Sequence, residues 1–294
     1  MERGRTHRMP RRSLTLRDYA RRIDRVVAWL AAHPGREPRL EELAAVAAFS
    51  PCHFHRIYRL LTGETPAETM ARQRLQLAAA SLLKTRQGIA GIAAQAGYGS
   101  VAAFSRAFRA SYGLPPAAYR RRGGLTPFLR PATTEMETTM FEVTQRDLPP
   151  LRLAALAHQG PYDRIGERFD ALTALGQGHG LLGPETEWYG LYYDDPHSVK
   201  PAELRSAAGF TLPAGAEPPA PATLLTLPAQ RVAVLRFQGP YAELEGAYTW
   251  LYRDWLPKSG EEPADAPCLE LYLNDCRSLP PAEWLTEILL PLQR

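Results

Sequence analysis

The chain has 294 residues, 35 Lys+Arg against 31 Asp+Glu and a formal net charge of +4. That sum hides a division: residues 1–130 hold 23 Lys/Arg and 8 Asp/Glu, a net of +15, while residues 131–294 hold 12 and 23, a net of −11. No apolar run reaches the ~18 residues of a membrane span, the polar stretch Met1–Ser13 predicts no secretory leader, and Cys52, Cys268 and Cys276 are too few for a disulfide framework. The length fits two domains, and the basic half suits a polyanion. A cytoplasmic, nucleoid-associated protein without membrane contact is the expectation.

Residues 1–13 read as a disordered basic arm. A helical stripe follows from Thr15 to about Ala32, with Tyr19, Ile23, Val26, Val27 and Leu30 on one face. His33-Pro34-Gly35 ends it. Up to Arg122 the apolar period stays near 3.6 residues, which predicts about seven helices. Gly123-Gly124 opens a Thr/Glu/Pro-rich linker over 123–139. Beyond it Phe141/Val143 and Leu151/Leu153/Ala155 alternate as strands do, with helices over about Asp163–Leu175 and Ala242–Trp255 and a loop over 213–221. The fold class predicted is multidomain: an all-α half at 14–122 and an α+β half at 140–294.

The basic half repeats at an offset of 50 residues: Ser50, Phe54, Arg56, Tyr58, Arg59, Gly63 and Pro66 match Ser100, Phe104, Arg106, Phe108, Arg109, Gly113 and Pro116. Each unit reads helix, tight turn, helix, with Ser50 and Ser100 at N-cap positions. In the second helix of the first unit, Phe54, Ile57, Tyr58 and Leu61 form a core stripe; Cys52, His55, Arg56 and Arg59 form the other. In the second unit Phe104, Ala107, Phe108 and Tyr112 point inward; Val101, Ala102, Ser105, Arg106 and Arg109 point outward. Short side chains beside Arg are what a helix needs to enter a major groove and reach base edges or phosphates.

The run Gly97-Tyr98-Gly99-Ser100-Val101-Ala102-Ala103-Phe104-Ser105-Arg106-Ala107-Phe108-Arg109, then Gly113-Leu114-Pro115-Pro116-Ala117-Ala118-Tyr119-Arg120, resembles the DNA-binding domain of AraC-family transcription regulators, with Pro115 where Thr is commoner. The resemblance covers residues 17–122. It implies two helix-turn-helix units joined by a helix over about Pro66–Leu83, on successive major grooves of double-stranded promoter DNA. It makes Cys52, His55 and Arg56 base-facing in the first unit and Val101, Ala102 and Arg106 in the second, beside Ser100. Arg59, Arg109 and Arg120 suit phosphate contacts, which give affinity and salt dependence without specificity.

The acidic half repeats at an offset of 79: Leu148-Pro149 matches Leu227-Pro228, and Gln159-Gly160-Pro161-Tyr162 matches Gln238-Gly239-Pro240-Tyr241. Leu191-Tyr192-Tyr193-Asp194-Asp195 matches Leu271-Tyr272-Leu273-Asn274-Asp275 with one residue inserted. Each unit reads strand, Gly-Pro-Tyr turn, helix, strand, strand. Residues 139–292 therefore resemble the GyrI-like effector-binding domain, which implies a small-molecule site between the repeats and a functional carboxylate at Glu270. Strand alternation puts Glu270, Tyr272 and Asn274 on one face, and Trp188, Gly190 and Tyr192 on the matching face. A carboxylate among aromatic rings suits a cationic or hydrophobic effector, at roughly 0.5–2 kcal/mol per cation–π contact. Tyr162, Tyr241 and Trp250 are further pocket candidates.

Cys52, His53 and His55 do not complete a metal site, since only Cys52 and His55 share a helix face. No phosphate loop, dinucleotide fingerprint or nucleophile elbow is present, so no metal, cofactor or catalytic residue is expected. The sequence predicts a ligand-responsive DNA-binding regulator, monomer or dimer, with RNA polymerase as a candidate partner. Two alternatives stay open: a GyrI-like hydrolase, in which an apolar pocket would raise the pKa of Glu270 for acid–base work, and a non-specific architectural DNA protein.

Overall fold

The computed structural model describes residues 11–123 and 140–293. The expected arm up to residue 10, and all of the expected linker but Gly123, lie outside the described residues. Seven helices make up the first part: α1 (Arg11–Ala32), α2 (Leu40–Ala47), α3 (Pro51–Thr62), α4 (Pro66–Lys84), α5 (Ile89–Gln95), α6 (Val101–Tyr112) and α7 (Pro116–Arg122). The repeated residues mark their ends. The Ser100 hydroxyl accepts the Ala103 N–H at 3.1 Å, α3 and α6 close on Gly63 and Gly113, and Pro66 and Pro116 open α4 and α7, where the missing N–H costs nothing. Ser50 departs from its counterpart: it holds the N-cap position of α3, yet its buried hydroxyl makes no cap bond. Helices α2–α3 and α5–α6 are the two helix-turn-helix units, and α4 joins them.

The second part is one antiparallel sheet of eight strands: β1 (Val143–Leu148), β2 (Leu151–Gln159), β3 (Trp188–Tyr192), β4 (Arg205–Thr211), β5 (Thr223–Leu227), β6 (Gln230–Gln238), β7 (Cys268–Tyr272) and β8 (Leu285–Leu292). Their order is β1-β6-β8-β7-β3-β4-β2-β5, a pseudo-twofold arrangement about the β7–β3 seam. Each repeat contributes strand, strand, helix, strand, strand, one strand more than the sequence pattern predicts. The extra strands β1 and β5 are exchanged: β1 pairs with β6 of the second repeat, and β5 with β2 of the first. As edge strands they are largely exposed, so they carry little of the alternation that betrays a half-buried strand.

Helix α8 (Gly166–Gly178) belongs to the first repeat. In the second, α9 (Leu244–Trp250) runs through a π-helical turn at Leu251–Trp255 into α10 (Leu256–Ser259). Pro257 lies two residues past that turn; its missing N–H and bulky ring break the hydrogen-bond register of the preceding residues. Both helical stretches start later than predicted, because Tyr162–Arg164 and Tyr241–Glu243 are 3-10 turns.

The cores do not follow the charge division. Tyr19, Val26, Leu30, Phe54, Ile57 and Tyr58 of α1 and α3 form one continuous cluster with Ala233, Leu235, Tyr252, Leu256, Ile288 and Leu290 of the second repeat. Helix α1 packs on α10, and α3 on the π turn. The second helix-turn-helix unit has its own core around Leu82, Ile92, Phe104, Phe108, Tyr112 and Tyr119.

Candidate effector cavity and DNA-reading helices

The repeated Gln-Gly-Pro-Tyr turns prepare both sides of a cavity between α8 and α9. Gly160 and Gly239 have φ of 133° and 146°, which a side chain would strain. Their N–H groups donate to Leu204 and Trp284 carbonyls at 2.9 and 3.0 Å, tying each turn to the following strand pair. Pro then fixes the exit and Tyr enters the 3-10 turn. The Tyr162 hydroxyl donates to the Asp194 and Arg205 carbonyls, both at 3.0 Å. The Tyr241 ring lies tilted against Trp284, centroids 4.6 Å apart, and meets Tyr272 at 5.4 Å.

Between them opens a cavity of about 750 Å³. Glu270 lies at its floor on β7, 5% exposed. The Tyr248 hydroxyl donates to its Oε1 at 3.0 Å and the Tyr272 hydroxyl to its Oε2 at 2.8 Å. Tyr192 adds a hydroxyl 2.9 Å from that of Tyr272. Opposite Glu270 on β3 stands Gly190; a Cβ there would come within 2.8 Å of the Tyr192 ring and the Tyr272 hydroxyl, so glycine makes room for the aromatic cluster. Burial pushes the Glu270 carboxyl above its ordinary range, against the tyrosine hydrogen bonds and nearby Arg56, which favour its charged form. Burial and then Glu270 push the Tyr192, Tyr248 and Tyr272 hydroxyls well up, so they remain donors.

The predicted ligand residues Glu270, Tyr272, Trp188, Tyr192, Tyr162 and Tyr241 all line this cavity. Trp250 does not: it packs against Phe141 at 5.8 Å, on the other side of α9. Sequence reasoning missed Tyr248 and Phe169, which also line the cavity. Tyr248 answers Phe169 in the 79-residue repeat, and that pairing was the available signal.

The predicted DNA-facing residues divide. On α6, Val101, Ala102, Arg106 and Arg109 are exposed, and Ser100 caps the helix. Arg120 is half-buried and engaged within the fold: its guanidinium donates to the Leu82 carbonyl at 3.0 Å and the Gln87 carbonyl at 2.7 Å, binding α7 to the end of α4. The α3 stripe is not outward either, because the second part of the chain covers it. Arg59 pairs with Asp195 at 3.4 Å and Glu245 at 3.2 Å. Cys52 and His55 are half-buried, and burial raises the Cys52 thiol and lowers the His55 imidazole. Arg56 lines the cavity, its guanidinium carbon 4.3 Å from the Tyr248 ring centroid and 5.1 Å from that of Tyr252. His53, unassigned from sequence, is buried, with its Nδ1 in a 2.6 Å hydrogen bond to the Tyr252 hydroxyl. Periodicity separates apolar from polar faces, but it cannot say which polar face another domain covers.

Among the described residues no group of His, Cys, Asp and Glu is arranged to hold a metal ion. Among the described residues no helix is long and apolar enough to cross a membrane.

Two helix-turn-helix units followed by a duplicated sheet with an inter-repeat cavity define a DNA-binding domain joined to an effector-binding domain. Residues 43–122 match the helix-turn-helix domain of the AraC type, and residues 141–293 match the GyrI-like small molecule binding domain. With that match over half its length, the chain belongs to the GyrI-like family. It is 34% identical over 166 residues to a DNA gyrase inhibitor of Edwardsiella piscicida, spanning 52% of this chain and 99% of that one. It is 32% identical to the HTH-type transcriptional regulator YbfP of Bacillus subtilis (strain 168), over 42% of this chain and 40% of that one. It is 33% identical to the right origin-binding protein of Escherichia coli (strain K12), over 45% and 47%. The chain thus spans less than half the length of these last two relatives.

Proposed function

We propose that the chain is a ligand-responsive transcription regulator: residues 14–122 bind promoter DNA, and 140–294 bind a small cationic or hydrophobic effector. The observation carrying this reading is the buried Glu270 carboxylate in a tyrosine-walled cavity, on a chain that also bears two helix-turn-helix units. A ligand cation gains charge pairing with Glu270 and ring contacts at the same time, in a site of low dielectric. Arg106 and Arg109 supply base and phosphate contacts from α6. Two reading units on one chain let a monomer hold an asymmetric site, and RNA polymerase is the partner an activating output requires. The working location is the cytoplasm, on the nucleoid. The role is regulatory rather than catalytic.

One observation favours a second reading. The raised Glu270 carboxyl beside tyrosine hydroxyls is the arrangement that acid–base hydrolysis of an electrophilic ligand needs. Titration calorimetry with tetraphenylphosphonium, a lipophilic cation, tests the first: Glu270→Gln weakens binding at least about tenfold, ~1.4 kcal/mol, and unchanged affinity overturns the reading. Turnover of an activated ester by the wild type, abolished in Glu270→Gln, would transfer the assignment to a hydrolase.

A further inference from the structure

The α3 face that resembles a DNA-reading surface is engaged by the chain's own effector domain, and its central arginine lies in the effector cavity. The contacts follow the chemistry of both missing partners. Arg59 sits between the carboxylates of Asp195 and Glu245, as a phosphate-binding arginine sits between anionic oxygens. Arg56 presents a planar cation 4.3 Å from the ring centroid of Tyr248, the same tyrosine that donates to Glu270. Arg56 therefore already makes the cation–π contact offered to a cationic effector, and helps offset the Glu270 charge. His53 completes the seam through Tyr252. DNA cannot reach Arg56 while it lines the cavity, and a cation that takes the Tyr248 ring and Glu270 competes with it for the same contacts.

We propose that Arg56 is a resident, intramolecular occupant of the effector cavity, and that a lipophilic cation takes its place and releases α3 for DNA. This rests on the cavity being the effector site, as argued above. One residue then belongs to two sites that exclude each other: the DNA-reading face and the cavity. Effector and DNA cooperate without touching, because each favours the state in which α3 has left the cavity. Affinity for the effector is reduced by the fraction of molecules in which Arg56 still fills the site.

The test uses the full chain and tetraphenylphosphonium. Arg56→Ala removes the competitor and is expected to tighten binding at least tenfold, whereas Glu270→Gln weakens it. In a Cys276→Ser background, whose binding of the probe is measured first, the Cys52 thiol on α3 is expected to alkylate at least fivefold faster when the probe saturates the cavity. Binding that depends on Glu270, with Arg56→Ala neutral or weakening and Cys52 alkylation unchanged, overturns the displacement and leaves the effector site standing. Binding indifferent to Glu270, or absent from both the wild type and Arg56→Ala, overturns the effector site and the displacement with it.

Discussion

His53 shows how one side chain couples the two halves of the molecule. Burial, and then the charge of Arg56, hold its pKa down to about 4 from 6.5. The sign follows: the unfolded chain binds a proton between pH 6.5 and 4 that the folded chain does not, so stability present above 6.5 is lost as pH falls through that window. At most about 1.4 kcal/mol per pH unit is involved, roughly 3 kcal/mol in all. Denaturant titrations at pH 7 and pH 4.5 are expected to show a large acid loss in the wild type, and a loss about 2–3 kcal/mol smaller in His53→Gln. Arg120 makes the opposite point about legibility. The family pattern marks it for phosphate, while in the fold it holds two backbone carbonyls, and we infer a structural role. Arg120→Ala should cost about 1.5–3 kcal/mol of stability and leave the salt dependence of DNA binding unchanged. Arg109→Ala should lower that salt slope by about one. An equal fall of the slope in both variants would return Arg120 to the phosphate contacts.

At the scale of elements, the helical repeat was legible because its punctuation is chemical. Serine before, glycine after and proline opening the next helix each satisfy or avoid an orphan backbone group, and these sit at helix ends in both units. The caps are nevertheless unequal. Ser100→Ala is expected to cost about 1 kcal/mol, through the lost bond to Ala103. Ser50→Ala is expected to be neutral or slightly stabilising, since the hydroxyl it removes is buried without a partner. Equal losses in thermal melts of the two variants would contradict this. Strand β5 escaped the reading, and β1 showed only at its start in the Phe141/Val143 alternation, for the converse reason. Both lie at sheet edges, where one side of the pairing and most of the side chains face water, so hydrophobic alternation has nothing to enforce it. The cavity was legible because the family pattern and strand alternation point to the same residues. Trp250 fell outside it, since its helix turns that ring toward Phe141.

For the whole molecule, composition separated a basic from an acidic half, but the packing draws a different line. The first helix-turn-helix unit shares its core with the second repeat, while the second unit closes on itself. Unfolding is therefore expected in two steps. All five tryptophans, Trp29, Trp188, Trp250, Trp255 and Trp284, lie outside the second unit. Tryptophan fluorescence should report only the larger body, and far-ultraviolet circular dichroism both. Non-coincident urea transitions are the expected result, with Phe108→Ala shifting the dichroism phase alone by about 3–5 kcal/mol. Superimposable curves would show a single cooperative unit.

The exchanged strands also set the order in which such a chain can become a protein. Strand β1 waits for β6, and β8, after all other strands in sequence, lies between β6 and β7 inside the sheet. On the ribosome the sheet cannot close until residue 292 has emerged, and its long-range pairings form late and slowly. The second helix-turn-helix unit, whose core needs nothing downstream, is free to fold as soon as it emerges. The first, translated earlier, gains its remaining apolar partners only when the sheet is built. Closing of the sheet thus completes the fold and, in the same event, brings α3 against its cover.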